Sequence, residues 1–493
     1  MKDFTAYLNE TEEIGFVEQV ADAIIHVSGL PKAKPDEIVV FETGEFGQVF
    51  SVQPSYVEIL VFSKKQVKPG IRVTRTNEVL KVPVGYELLG RVIDPLGKSI
   101  SGIKPLKTPS EKRPIDTPAA GIVKRRSVTK PFETGILLVD LAIPLGHGQR
   151  ELIVGDRKTG KTSFLTRTIL NQTRRGNICV YAAIGKKKLD VKKIEEFFAQ
   201  NGVLDKMVIL ASSSEDSTGV IYLTPYTAMT ISEYFRDEGK DVLLVLDDLS
   251  SHARFYREIS LLGKRFPGRN SYPSDIFYTH ARLMERAGNF ITEKGEASIT
   301  CLTVAEATQG DLSGYIETNL MSMTDGHLYF DKDLFYLGRR PAINPFLSVT
   351  RVGRQTQTQL RRDINREIMS FLSLYEKMQS FIHFGAELNE SVKATLATGE
   401  MIIHFFNQAI NEVVPINLQI MAFSMLWSNL WRGHDTAVIR KQLHQILEAY
   451  NSDKKFREKI DKLAESDSFN KLLRVLKVEG PQIIKAVSQK YGN

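Results

Sequence analysis

The stretch "ELIVGDRKTGKTSFL" carries the residue types that a polyphosphate needs. Gly155 and Gly160 let the backbone curl tightly enough for successive N–H groups to surround β- and γ-phosphates. Lys161 supplies a mobile positive charge, and the Thr162 hydroxyl is placed to ligate Mg2+. The helix expected from Lys161 onward adds the positive end of its dipole. A second stretch, "DVLLVLDDLS", ends an apolar run on Asp247 and Asp248. Asp247 is the candidate for holding the metal's water shell, because carboxylates at strand ends reach the phosphates in domains of this kind. Hydrolysis further needs a group that orients or deprotonates water, commonly Glu or Gln. In that place "CVYAAIGKKKLD" has Lys186, Lys187 and Lys188. A protonated lysine has three donors and no acceptor. A run of three reads as solvated, so no desolvation is expected to lower its pKa. These residues imply a site that binds nucleotide without activating water.

The elements that must position them fall into three segments. From Glu12 to about Val82, short runs of alternating apolar residues are broken by Gly and Pro, which predicts a small antiparallel barrel. "VPVGYELLGRVIDPLGKSISG" reads as Gly- and Pro-marked turns and leads into a basic connector through Lys130. Between about Glu151 and Val349 the runs "ELIVG", "ICVYAAIG", "MVILASS", "DVLLVLDD" and "SITCLTVAE" alternate with helical stretches, which predicts a parallel sheet covered on both faces. Beyond about Thr356 the spacing turns helical to the end of the sequence. The expected fold is therefore multidomain: an N-terminal antiparallel β-barrel (1–82), a central α/β RecA-like P-loop nucleotide-binding domain (83–358) and a C-terminal α-helical domain (359–493).

Composition agrees with this and excludes other classes. At 493 residues the chain is long enough for about three domains. Its 42% hydrophobic and 25% charged residues are those of an ordinary globular protein. Cys179 and Cys301 both lie in apolar runs and cannot form a disulfide framework. No stretch approaches the ~20 apolar residues of a membrane span, and the start has neither a signal core nor an Arg-rich leader. The expected place is the cytosol or the cytoplasmic side of a membrane, as a peripheral protein. The net charge of +7 is spread along the chain in runs that read as solvated faces, so no nucleic-acid partner is expected.

Beyond the phosphate loop, a series of stretches resembles the alpha subunit of F-type ATP synthase over almost the whole chain: "GQRELIVGDRKTGKTS", "DDLSSHARFYREISLLGKRFPGRNSYPSDIFYTHARLMERAG", "GYIETNLMSMTDGHLYFDKDLFYLGRRPAINPFLSVTRVG" and "FIHFGAELNESVKATLATGE". The resemblance implies a regulatory, non-catalytic subunit that binds ATP or ADP with Mg2+. Its implied partners are a catalytic beta-type subunit, alternating with it in an alpha3-beta3 hexamer, and a central gamma-type stalk. Carried over residue by residue, Gly155, Asp156, Arg157, Lys158, Thr159, Gly160, Lys161 and Thr162 bind phosphates, with Thr162, Asp247 and Glu306 at the metal, partly through water. Phe335, Arg340, Pro341 and Gln408 line the adenine side. Arg351 acts in trans in the beta-type neighbour's catalytic site, and Ser348 is implied to be required for activity.

The sequence departs from that pattern in several places. Lys158 and Lys186 stand where alpha subunits carry Gln, and Thr350 where they carry Ser. "NQAINEVVP", after Gln408, is two residues longer than usual. The N-terminal helix that docks on the peripheral-stalk subunit is shortened to "MKDFTAYLNE" or missing, so the usual stalk contact is not expected. Two alternatives stand beside a proton-transporting synthase: an F-type-related rotary motor not coupled to proton transport, and a self-sufficient hexameric export-type ATPase. The latter needs a catalytic Glu where Lys186 stands. An RNA-translocating hexamer would show an aromatic and basic platform in its barrel, which is here acidic and aliphatic.

Overall fold

Six short strands close the N-terminal segment: β1 (Ile14–Ala21), β2 (Ile24–Ser28), β3 (Glu37–Phe41), β4 (Phe46–Val52), β5 (Val57–Val61) and β6 (Arg72–Val79). They form a closed barrel in the order β1-β2-β5-β4-β3-β6, with antiparallel pairing throughout. The alternating residues point inward, and Val17, Val27, Val39, Phe41, Val49, Ile59 and Val73 make its core. Helix α1 (Phe4–Thr11), capped by the Asp3 carboxylate, lies against β6, where Tyr7 donates to Glu78 at 3.2 Å. The expected barrel is present. The computed structural model describes residues 2–63, 67–101, 107–383, 390–409, 412–431 and 434–491. Residues 384–389 of the last resembling stretch, part of the basic connector (102–106) and positions 410–411 of the lengthened loop lie outside these.

The chain divides into two units. The first comprises Met1–Ser127, Arg150–Leu152 and Thr173–Thr324, and so holds the barrel and most of a sheet. In this sheet the strand Ile178–Lys186 pairs in parallel with Met207–Ser213 on one side and Val242–Asp247 on the other, and the latter pairs with Gly295–Glu306. These are the expected apolar runs, and helices α4 (Lys188–Gln200), α5 (Thr218–Asp237) and α6 (Leu249–Leu262) connect or cover them. Cys179 and Cys301 are buried and unpaired as disulfides, and burial pushes the Cys301 thiol up to about 12. Several short strands match none of the runs read from the sequence, Gly288–Thr292 and Gly326–Phe330 among them. Arg91–Ile93, expected as part of a turn-rich connector, pairs in parallel with Met207–Ser213. Three residues are too few for periodicity to show.

The second unit comprises Val128–Gln149, Ile153–Gln172 and Asp325–Asn493. It contains helix α2 (Leu137–Ala142), the phosphate loop with most of α3 (Lys161–Arg174), the antiparallel pair Gly326–Phe330 and Val349–Thr350, and the helices from Gln359 onward. The helix Ile416–Trp427 is apolar on nearly every side and is accordingly buried. Phe423 stacks on Trp427 and Phe469, with ring centroids 5.6 and 6.1 Å away, which ties this helix to Phe469–Tyr491.

A buried carboxylate pins the start of this unit. Asp140 accepts from Thr134 N and Oγ1 at 2.7 Å each, from Gly135 N at 2.9 Å and from Gln419 Nε2 at 2.8 Å. Burial raises its pKa to about 6, although these donors pull the other way. A folded-state pKa above the unfolded value of about 3.9 means that the native state binds this proton more tightly. The stability contributed is present below about pH 4 and is lost as pH rises through about 6. Asp140→Asn turns one acceptor into a donor facing N–H groups and should cost about 1–3 kcal/mol at neutral pH. Denaturant titrations from pH 4 to 7 should show that the variant lacks the wild-type decline across this window; an identical pH profile would contradict the assignment.

Candidate nucleotide-binding site

The phosphate loop lies in the second unit, where strand Arg150–Gly155 ends and α3 begins. Gly155 has φ 155°, and a Cβ there would lie 2.3 Å from the Phe330 carbonyl oxygen, so no larger residue fits the turn. Gly160, at φ 97°, faces open space, which leaves room beside the loop N–H groups. Thr159 Oγ1 donates to Asp156 O at 2.7 Å and braces the curl. Lys161 Nζ bridges the carbonyl oxygens of Gly155 and Asp156 at 2.7 and 2.6 Å, an ammonium held over the loop. Arg157, Lys158 and Thr162 are exposed, and Lys158 adopts φ 64°. A loop with three basic side chains and one acidic one, at the N-terminus of a 14-residue helix, is an anion cradle.

The adenine-side candidates are in the same unit. The Arg340 guanidinium stacks 3.7 Å from the centre of the Phe335 ring and donates to Phe335 O at 2.8 Å. Arg340 N donates to Asn407 Oδ1, and Gln408 N to Arg340 O, each at 2.8 Å, so the Arg340–Pro341 corner is tied to the Asn407–Gln408 segment. Gln408 itself is buried. Its Oε1 accepts from Leu137 N at 2.8 Å and its Nε2 donates to Gly135 O at 3.2 Å, so both ends of its amide serve the chain's own backbone. Beside it lies a cavity of about 480 Å3, lined among others by Leu137, Arg340, His404, Gln408 and Leu443. Asn407, which holds Arg340 from the adjoining position, has no signal in the sequence beyond its adjacency to Gln408.

The carboxylates Asp247 and Asp248 belong to the first unit. Parallel register sets Ala183 opposite Asp247, which carries the end of strand Ile178–Lys186 to the end of strand Val242–Asp247. Lys186 Nζ therefore lies 2.7 Å from Asp247 Oδ1 and 2.9 Å from Asp248 Oδ2. Tyr181 OH donates to Asp247 Oδ2 at 2.6 Å, and Asp248 Oδ1 caps α6 by accepting from Ser251 N at 2.5 Å. The two aspartates are only 5% and 2% exposed. The expectation of a solvated Lys186 is overturned: its side chain is 26% exposed, whereas Lys187 and Lys188 are the exposed members of the run. Burial alone would lower its pKa, but the two carboxylates outweigh burial and raise it. Burial likewise pushes the Asp248 pKa up, yet Lys186 and the Ser251 N–H hold it below the ordinary value. An ammonium locked in this way has no lone pair for water. Glu306, at the end of strand Gly295–Glu306, donates its N–H to Ser250 Oγ at 3.0 Å, and its carboxylate faces Arg254 at 3.6 Å.

These residues fit a divalent cation only in part. The exposed Thr162 hydroxyl fits one that arrives with phosphates. Asp247 is already engaged, with Oδ1 facing Lys186 Nζ and Oδ2 accepting from Tyr181 OH, so a cation's water would share these oxygens with the chain's own donors. Among the described residues no group of three His, Cys, Asp or Glu side chains could hold a metal ion by itself.

Ser348 and Arg351 flank the edge strand Val349–Thr350 of the second unit. Ser348 Oγ donates to Asn344 O at 2.6 Å and accepts from Tyr329 N at 2.9 Å. Thr350 Oγ1 donates to Pro144 O at 2.8 Å, and Arg351 N to Asp325 O at 3.1 Å. The backbone around Arg351 is thus fixed while its side chain is exposed, and its charge contributes to lowering the pKa of His327, after burial.

Residues 135–350 match the model of the ATP synthase alpha/beta family, nucleotide-binding domain. Residues 357–477 match that of the ATP synthase alpha/beta chain, C terminal domain. The two matches, in this order, cover more than half of the chain and include the phosphate loop, the Asp247–Asp248 pair and most of the helical segment. With the barrel, the α/β fold and the helices in the same sequence, they show that the chain belongs to the ATP synthase alpha/beta family.

Proposed function

We propose that this chain is the alpha-type, nucleotide-holding subunit of an F-type or F-type-related rotary ATPase. In this reading it retains ATP or ADP at its own phosphate loop without turning it over. Arg351 completes the catalytic site of a beta-type neighbour in an alternating hexamer around a central stalk. Family membership supports nucleotide binding and hetero-oligomeric assembly. The observation that carries the non-catalytic role is Lys186, whose ammonium is clamped by Asp247 and Asp248 at the strand end where a hydrolytic site needs an acceptor for water's proton. The same observation weighs against a self-sufficient export-type ATPase.

Each part of the chain then has a task. The loop N–H groups, Lys158 and Lys161 bind phosphate oxygens, and Thr162 offers its hydroxyl to a cation bound to them. Phe335 and Arg340 present a flat, preorganised edge for the base, with Gln408 and Asn407 positioning that corner. Ser348 latches the segment that presents Arg351. Attachment to the cytoplasmic side of an energy-transducing membrane, and proton transport, would come from other subunits; no helix among the described residues is long and apolar enough to cross a membrane. The purified chain should bind ATP and return it unhydrolysed. Sustained phosphate release by the chain alone would contradict the proposal.

A further inference from the structure

We propose that Arg167 is a positioning residue for the nucleotide's base. From the phosphate-loop helix it holds the 407–409 segment, and through that segment the Phe335–Arg340 edge, at a set place relative to the phosphate loop. The inference rests on the reading that nucleotide binds at the 155–162 loop with its base at that edge. Every residue it uses belongs to the second unit.

Arg167 lies on α3, less than two helical turns beyond Lys161, and its Nε donates back to Ser163 O at 3.4 Å. Its Nη1 donates to Ala409 O at 3.3 Å, across 242 positions of sequence. Ala409 is steadied by Glu412, whose carboxylate accepts from Ala409 N and whose N–H donates to Ala409 O, each at 3.2 Å. From Ala409 the connection to the base edge is short. Gln408 N donates to Arg340 O and Arg340 N to Asn407 Oδ1, each at 2.8 Å, and the Arg340 guanidinium lies on the Phe335 ring. One helix thus starts at the phosphate-binding ammonium and carries, within two turns, the guanidinium that fixes the base-side segment. As a device for stability this is a poor one. Arg167 is 3% exposed, and burial lowers its pKa to about 10 although the Glu412 carboxylate pulls it up. Its two hydrogen bonds are long, and Nη2 has no hydrogen-bond partner among the described residues. A buried cation satisfied this thinly contributes little net stability. What it supplies is direction. A planar fork reaching from one element to another fixes the gap between phosphate loop and base edge in advance, which lowers the ordering cost of a ligand that spans both. A ligand with phosphates alone gains nothing from it.

Calorimetric titration of the purified full chain with ATP and with inorganic tripolyphosphate, both in excess magnesium, tests this directly. Tripolyphosphate carries the phosphates and no base, so the wild type should bind ATP more tightly. Arg167→Met keeps an unbranched side chain but donates to nothing. It should weaken ATP binding at least about 10-fold and leave tripolyphosphate binding within about 2-fold of the wild type. A merely structural role would weaken both ligands together. Arg167→Lys keeps a charged donor on a flexible stem and should bind ATP more tightly than Arg167→Met does. If Arg167→Met fails to fold, Arg167→Gln, whose amide is too short to reach Ala409 O, takes its place and is read in the same way. Unchanged ATP affinity in the neutral variant, equal weakening of both ligands, or no gain in Arg167→Lys would overturn the inference. A wild type that binds ATP and tripolyphosphate equally well would overturn this inference alone. A wild type that binds neither would overturn the nucleotide-holding function, and this inference with it.

Discussion

Arg351→Ala should lower ATP hydrolysis by the assembled complex at least ~10²-fold while leaving nucleotide retention by this chain nearly unchanged. Phosphoryl transfer spreads negative charge over the γ-phosphate oxygens, and a guanidinium supplied from a neighbouring subunit stabilises that charge without moving a proton. Arginines used in this way contribute on the order of 10³–10⁵ in turnover, and the smaller bound allows for the groups that remain. The local structure explains why the loss should be confined to catalysis. Ser348, Thr350 and the N–H of Arg351 are each hydrogen-bonded to backbone within the second unit. Among the described residues the Arg351 guanidinium itself makes no hydrogen bond or ion pair, so its removal breaks nothing in the fold. Arg351→Lys should restore little, since a point charge does not reproduce the planar fork. Turnover of the reconstituted complex, measured beside its bound nucleotide and its assembly state, checks this; near-normal turnover in Arg351→Ala would show that another residue fills the role.

Lys161→Ala should raise the dissociation constant of this chain for ATP by at least ~10²-fold, since two hydrogen bonds from a charged donor are worth about 3–6 kcal/mol. The Lys161 ammonium spans Gly155 O and Asp156 O, both at the start of the curl. It is therefore held within the loop, and little order has to be gained when phosphates bind. The same contacts mean that the variant loses an internal brace, so thermal unfolding should be followed alongside calorimetry. A folded variant with wild-type affinity would exclude the loop as the binding site.

Most of the fold was legible because apolar runs and their punctuation carry it. The barrel, the five buried strands and the terminal helices all follow from period and turn chemistry. The strand Arg91–Ile93 did not, being too short to show a period and being held by its partner strand rather than by its own sequence. The candidate site was legible in residue type and less so in placement. Lys186 is a clear example: its identity argued against general-base catalysis, but its neighbours Lys187 and Lys188 made it look solvated. Only the parallel register of Ala183 with Asp247 reveals that the ammonium is clamped between two buried carboxylates. Gln408 shows the converse. Its type suits a base-recognising amide, yet pairing across more than 270 positions of sequence commits that amide to Leu137 and Gly135, a relation that no local pattern encodes.

The central claim, that this chain holds nucleotide and does not consume it, is tested most directly in a complex reconstituted with Arg351→Ala, in which the neighbouring sites are slowed. Loaded with ATP labelled on the γ-phosphate and freed of excess, such a complex should retain one labelled ATP per copy of this chain, intact over many wild-type turnover times. Release of one labelled phosphate per copy, abolished by adding Lys161→Ala, would contradict the account.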